Sequence, residues 1–97
     1  MAGTIINSSC KIGNNCIVNS SASIDHDCII KNHSHIAPNA TLCGGCLIGE
    51  GTLVGASATI IPGIKVGNNV IVGAGAVVTK DIPDNTTVVG IPVRKIN

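Results

Sequence analysis

Ninety-seven residues with a formal net charge of +1 hold a single domain, near the low end of what folds without staples or partners. Six basic and five acidic residues give no field to gather nucleic acid or an anionic membrane surface. The chain contains no Phe, Tyr or Trp. Interiors normally draw on rings for buried area, so a conventional core is excluded and an interior too narrow for rings, as inside a thin regular coil, is expected.

From the amino end, Met1 to Cys10 has neither the basic start nor the long apolar run of a secretory leader. No later apolar run reaches membrane-spanning length, and a reducing cytoplasm is expected. Cut every six positions, the sequence aligns Ile6, Ile12, Val18, Ile24, Ile30, Ile36, Leu42, Ile48, Val54, Ile60, Val66, Val72 and Val78. Four positions later in each repeat stands a mostly small residue, as at Cys16, Ala22, Ser34, Ala40, Thr52, Ala58 and Ala76. Neither the alternation of an ordinary strand nor the 3.6 period of a helix produces two inward points per hexad. A repeat of six with Gly, Asn or Asp just after the aliphatic residue, as in IGNNCI and VGNNVI, marks a parallel β-helix. Three hexads then form a triangular coil of 18 residues, with coils stacked about 4.8 Å apart. Residues 18 apart lie above one another. The hexads from Ile6 to about Pro83 supply a little over four coils, and 84–97 forms a tail.

Cys10, Cys16, Cys28 and Cys46 share the small-residue phase of the repeat and read as buried apolar fillers rather than a disulfide framework. Cys43 and Cys46 form a CxxC pair without a second pair at usable spacing, so zinc is not expected. The three histidines are only seven and two residues apart, which does not suit a three-histidine metal site assembled from separate coils.

His26 occupies a turn between Asp25 and Asp27. A carboxylate that accepts a hydrogen bond from one ring nitrogen fixes the tautomer and raises the basicity of the other, as a general base requires. A solvated polar corner is the competing reading. His26, Gly44, Pro62 and Lys80 are successively 18 apart, so the Gly44 backbone stands one coil above the imidazole. A backbone N–H there can stabilise charge on a reacting oxygen, and the missing Cβ lets a ligand approach; a tight corner at Gly44–Gly45 accounts for the same residues. Ser20, Pro38, Ala56 and Ala74 form a second column of mostly small residues, either a shallow groove along the prism or plain coil geometry. Lys80, Arg94 and Lys95 gather near the carboxyl end, as an anion site or as solvated end charges. His33 reads as a surface residue.

The repeat over nearly the whole chain, the stretch IDHDCIIKNHSHIAPNATLCGG and the closing VVGIPVRKI resemble the bacterial hexapeptide transferases. Within them the chain is most similar to the sugar acyltransferases that N-acetylate amino-sugar nucleotides or O-acetylate sialic acid. The resemblance implies an all-β, left-handed parallel β-helix that works as a homotrimer with sites between subunits. It implies acetyl-CoA as donor, a sugar or sugar nucleotide as acceptor, and no metal. His26 is then the base, Asp27 the residue that tunes it, and Gly44 the glycine of the site. His35 lies at the acetyl-CoA, Ala56 and Ala74 line the pantetheine path, and Lys80 and Arg94 meet CoA phosphates. Val93 stands where the family's Gly-x-Pro-Ala-Lys ending has alanine. The family's N-terminal sugar-nucleotide-binding domain is expected to be absent, since the coil starts at about Ile5. Two rivals stay open: a non-catalytic trimeric scaffold, and a CoA-binding subunit that needs a partner for the acceptor site.

Overall fold

The computed structural model describes residues 3–7 and 9–97. Its strands are nearly all two residues long, because each hexad puts one outward and one inward residue in the strand and spends the other four, a second inward residue among them, on a corner and its approach. They stack as three parallel faces. Face A carries Ile5–Ile6, Ser23–Ile24, Thr41–Leu42, Thr59–Ile60 and Val77–Val78. Face B carries Lys11–Ile12, Ile29–Ile30, Leu47–Ile48 and Lys65–Val66, and face C carries Ile17–Val18, His35–Ile36, Leu53–Val54, Ile71–Val72 and Thr87–Val89. The register is the 18-residue step read from the sequence, with Ile24 opposite Leu42 and Ile36 opposite Val54.

The hexads alone account for a little over four coils, and the tail completes a fifth rung. Ile82 bridges Val66 on face B, and Thr87 pairs with Ile71 on face C. Both partners are 16 apart rather than 18, so the corner after Val78 is two residues short. Arg94–Lys95 then folds back antiparallel on Val88 and Val89. The result is a prism with extents of 32 × 21 × 20 Å. Among the described residues no helix is long and apolar enough to cross a membrane.

The inward aliphatics from Val18 to Val88 form one continuous core. Ile6 and Ile12 share their phase yet are 42% and 38% exposed, because their coil has a neighbour on one side only. Apart from the shortened corner after Val78, the corners turn through a residue with positive φ, supplied by Ser, Asn, Asp or His as well as Gly; Asp27 has φ 59° and His33 φ 62°. Short polar side chains tolerate this region, which explains their recurrence three places after each inward aliphatic.

The structure revises the role of the cysteines. At the corners that lead from C to A, the first turn carbonyl accepts the backbone N–H three residues on, as Ala40 N to Ala37 O at 3.2 Å. At the other two corners an inward side chain from the coil below takes that carbonyl. Cys10 Sγ donates to Asp25 O at 2.9 Å, Cys28 Sγ to Cys43 O at 3.2 Å and Cys46 Sγ to Ile61 O at 3.3 Å. Ser34 and Thr52 do the same for Gly49 and Gly67. The thiols are therefore hydrogen-bond donors inside the coil as well as fillers.

Candidate active site

The corner between faces A and B carries His26 out into solvent. Asp27, in its left-handed conformation, sets Oδ2 3.2 Å from His26 Nδ1. With Nδ1–H donated to that carboxylate, Nε2 keeps a free lone pair. Asp25 does not share the ring. Its Oδ1 accepts the backbone N–H of His26 at 2.7 Å and Asn7 Nδ2 at 3.0 Å, and these bonds, the His26 N–H first, hold its carboxyl below the usual carboxylate range.

Gly44 lies against the ring. A Cβ there would stand 2.8 Å from His26 Cε1 and 2.9 Å from Nε2. The space that the sequence assigns to an approaching ligand is thus taken by the imidazole itself. Gly45 N–H donates to His26 O, and Gly63 N–H to Gly44 O, each at 2.9 Å, which fixes the stack of corners.

The Gly44 N–H has no hydrogen-bond acceptor among the described residues, and the corner between B and C shows why. There three of the equivalent N–H groups are capped by side chains from the next coil, Asn14 by Asn32, Glu50 by Asn68 and Asn68 by Asp84, each at 2.8 Å, and, among the described residues, only that of Asn32 is not. Above Gly44 stands Pro62, which has no acceptor to offer. An imidazole paired with a carboxylate and an uncommitted backbone donor therefore share one corner.

Ala56 and Ala74 sit exposed on the corner between C and A. Their N–H groups also lack acceptors among the described residues, since Ser20, Pro38, Ala56 and Ala74 put no capping side chain in this column. Face A separates that corner from His26, so one chain does not bring the two together. His35 lies half-buried on face C, its Nε2 2.6 Å from Asn19 Nδ2. Asn19 escapes a search of 18-residue columns because it lies 16 residues before His35 and crosses from corner to face. Lys80, Arg94 and Lys95 do come together, around a cavity of about 350 Å³ floored by Ile82, Val88 and Val93. Lys80 follows Val78 of face A, however, and so stands across that face from Ala74 rather than above it. His33 is exposed on the corner between B and C. Among the described residues no three His, Cys, Asp or Glu side chains are arranged to hold a metal ion.

A stacked hexapeptide solenoid with a histidine–carboxylate pair on one corner defines a narrow class of proteins. Residues 9–44 and 45–80 each match the family described as bacterial transferase hexapeptide (six repeats), and the chain belongs to that family. Among solved structures it is similar to a mutant of perosamine N-acetyltransferase from Caulobacter crescentus in complex with CoA and GDP-perosamine. The identity is 39% and the TM-score 0.99, over 100% of this chain and 46% of that one. WeeI from Acinetobacter baumannii AYE is 35% identical with a TM-score of 0.95, over 98% of this chain and 47% of that one. The acetyltransferase domain of PglB from Neisseria gonorrhoeae, in complex with acetyl coenzyme A, is 31% identical with a TM-score of 0.84, over 97% and 55%. The chain thus spans about half the length of these structures. No curated protein sequence matches it significantly.

Proposed function

We propose that the chain is the catalytic coil of an acetyltransferase that moves an acetyl group from acetyl-CoA to an amine or hydroxyl of a sugar or sugar nucleotide. The observation that carries this reading is the His26–Asp27 pair resting on Gly44, whose N–H is uncommitted. His26 Nε2 takes the proton of the acceptor as its nitrogen or oxygen bonds to the thioester carbon. The Gly44 N–H donates to the oxygen on which charge develops. As the carbon–sulfur bond breaks, the imidazolium returns the proton to the CoA sulfur. No acyl-enzyme is required: Cys28 is bound inside the coil, and burial pushes its thiol up to about 11. The solved relatives with CoA and GDP-perosamine support the donor and the class of acceptor.

The exposed backbone donors of Ala56 and Ala74 suit the amide groups of pantetheine, with His35 beside them on face C. Lys80, Arg94 and Lys95 suit phosphates at the carboxyl end. A homotrimer unites these with His26. Ile17 and Ile71 protrude from face C, 52% and 48% exposed. Face B is grooved by two cavities of about 470 and 310 Å³ that meet at Lys31, with Ile29 and Leu47 in their walls. Face C of one copy against face B of the next brings the Ala74 corner of the first beside the His26 corner of the second. Repeated about a threefold axis, this heterologous contact closes. The five free cysteines suit a reducing cytoplasm.

Calorimetry with acetyl-CoA, followed by thioester turnover with amino-sugar nucleotides, tests the proposal. Wild type binds and turns over; Ala74→Trp, which fills the groove, does not bind. His26→Ala binds but loses roughly 10²–10⁴-fold in turnover, the usual worth of a positioned base. A well-formed trimer without CoA affinity would make the coil a scaffold. Binding without turnover on any acceptor would make it a subunit that needs a partner.

A further inference from the structure

The chemistry above leaves one part of the His26 corner unused, the bonds that converge on Asp25. Asn7 and Asp25 occupy the same corner position in successive coils, 18 apart, and Asn7 Nδ2 donates to the same oxygen, Oδ1, that accepts the His26 N–H. At the corner between B and C, three of the N–H groups equivalent to that of His26 are capped from the coil above, as Asn14 is by Asn32. His26 has no such cap, because the residue above it is the glycine on which its ring lies. The bare surface that accommodates the imidazole therefore obliges Asp25 to satisfy the backbone. A carboxylate next in sequence to an imidazole has a second option, which is to pair with the ring in competition with Asp27. The Asn7 amide, from the coil below, ties Oδ1 to the backbone and away from the ring.

We infer that Asn7 and Asp25 are positioning residues for the general base: Asn7 holds Asp25, Asp25 holds the His26 backbone, and the imidazole is thereby kept on Gly44 with Nδ1 toward Asp27. The inference rests on the reading of His26 as base. Exposed polar pairs of this kind add little to stability, whereas displacement of a reacting group by about 1 Å costs as much as 10²-fold in rate. The effect belongs in kcat rather than in Tm.

A double-mutant cycle on the full chain tests this, with acetyl-CoA turnover and the His26 amide proton shift by NMR as separate readouts. Asn7→Ala and Asp25→Ala each lower kcat roughly 10-fold while KM for acetyl-CoA and Tm stay near wild type. The double variant is no worse than Asp25→Ala alone, because Asn7 acts through Asp25. Asp25→Asn keeps Oδ1 as acceptor for both bonds and retains most of the activity. The His26 amide proton moves upfield in both alanine variants and stays in place in Asp25→Asn. Additive losses, or Asp25→Asn as damaging as Asp25→Ala, would overturn the inference, as would an unmoved His26 amide in Asn7→Ala. If wild type shows no turnover, the acetyltransferase reading fails, while the amide shift still decides whether Asn7 acts through Asp25.

Discussion

A methyl group on residue 44 meets the ring of His26 rather than backbone. The ring is the far end of an exposed side chain and can swing away at little cost to the fold. Gly44→Ala is therefore expected to leave Tm within a degree or two, about what a few tenths of a kcal/mol shifts in a small domain, while turnover falls at least roughly 10²-fold. A large loss of stability instead would mean that the glycine serves the corner and not the imidazole. The inward thiols give a second test at this scale. Cys28→Ala leaves the Cys43 carbonyl without its donor and should cost about 1–2 kcal/mol in urea unfolding, whereas Cys28→Ser keeps the bond and most of the stability. Burial raises the Cys28 thiol from 9.0 to about 11 and raises Cys46 as well. A group whose folded value lies above its unfolded one contributes stability that is complete below the unfolded value and lost as pH rises toward the folded one. Tm should accordingly fall between pH 9 and pH 11, and fall less in Cys28→Ser.

The corner is the element on which fold and site both depend. Its left-handed residue is set by sterics, so an exposed position such as Ser57, with φ 60°, is constrained although it touches little. Ser57→Val should cost about 1–2 kcal/mol and Ser57→Gly nothing or less, measured by urea denaturation. Corners are also where sequence reading succeeds and then stops. The inward hexads, the Gly and Asn turns and the stacking of His26 under Gly44 were legible because a period of 18 is written directly in the chain. A carboxylate beside His26 was legible because it is local, whereas the choice of Asp27 over Asp25 came only with the family resemblance. The thiol-to-carbonyl bonds were not, since they join residues 15 apart across two columns, and the Asn19–His35 contact crosses columns in the same way. Nor was the shortened corner after Val78, which shows only when Ile82 and Thr87 pair 16 rather than 18 residues back.

At the scale of the whole molecule the prism presents two unlike faces, one protruding at Ile17 and Ile71 and one grooved along Leu47 and Lys31. If the proposed trimer packs face C against face B, Ile71→Glu places a charge in that contact and should shift the chain from trimer to monomer in sedimentation, with loss of turnover and retention of the β-sheet circular dichroism signal. A variant that stays trimeric and active would mean that other faces meet. No periodicity within one chain reports which face meets which, because the hexads read alike on all three sides. A crystal structure of the protein with acetyl-CoA tests the central claim most directly. The thioester oxygen is expected within hydrogen-bond distance of the Gly44 N–H, near His26 Nε2 of the same subunit, with pantetheine along Ala56 and Ala74 of the next. A thioester bound away from the His26 corner would contradict the assignment.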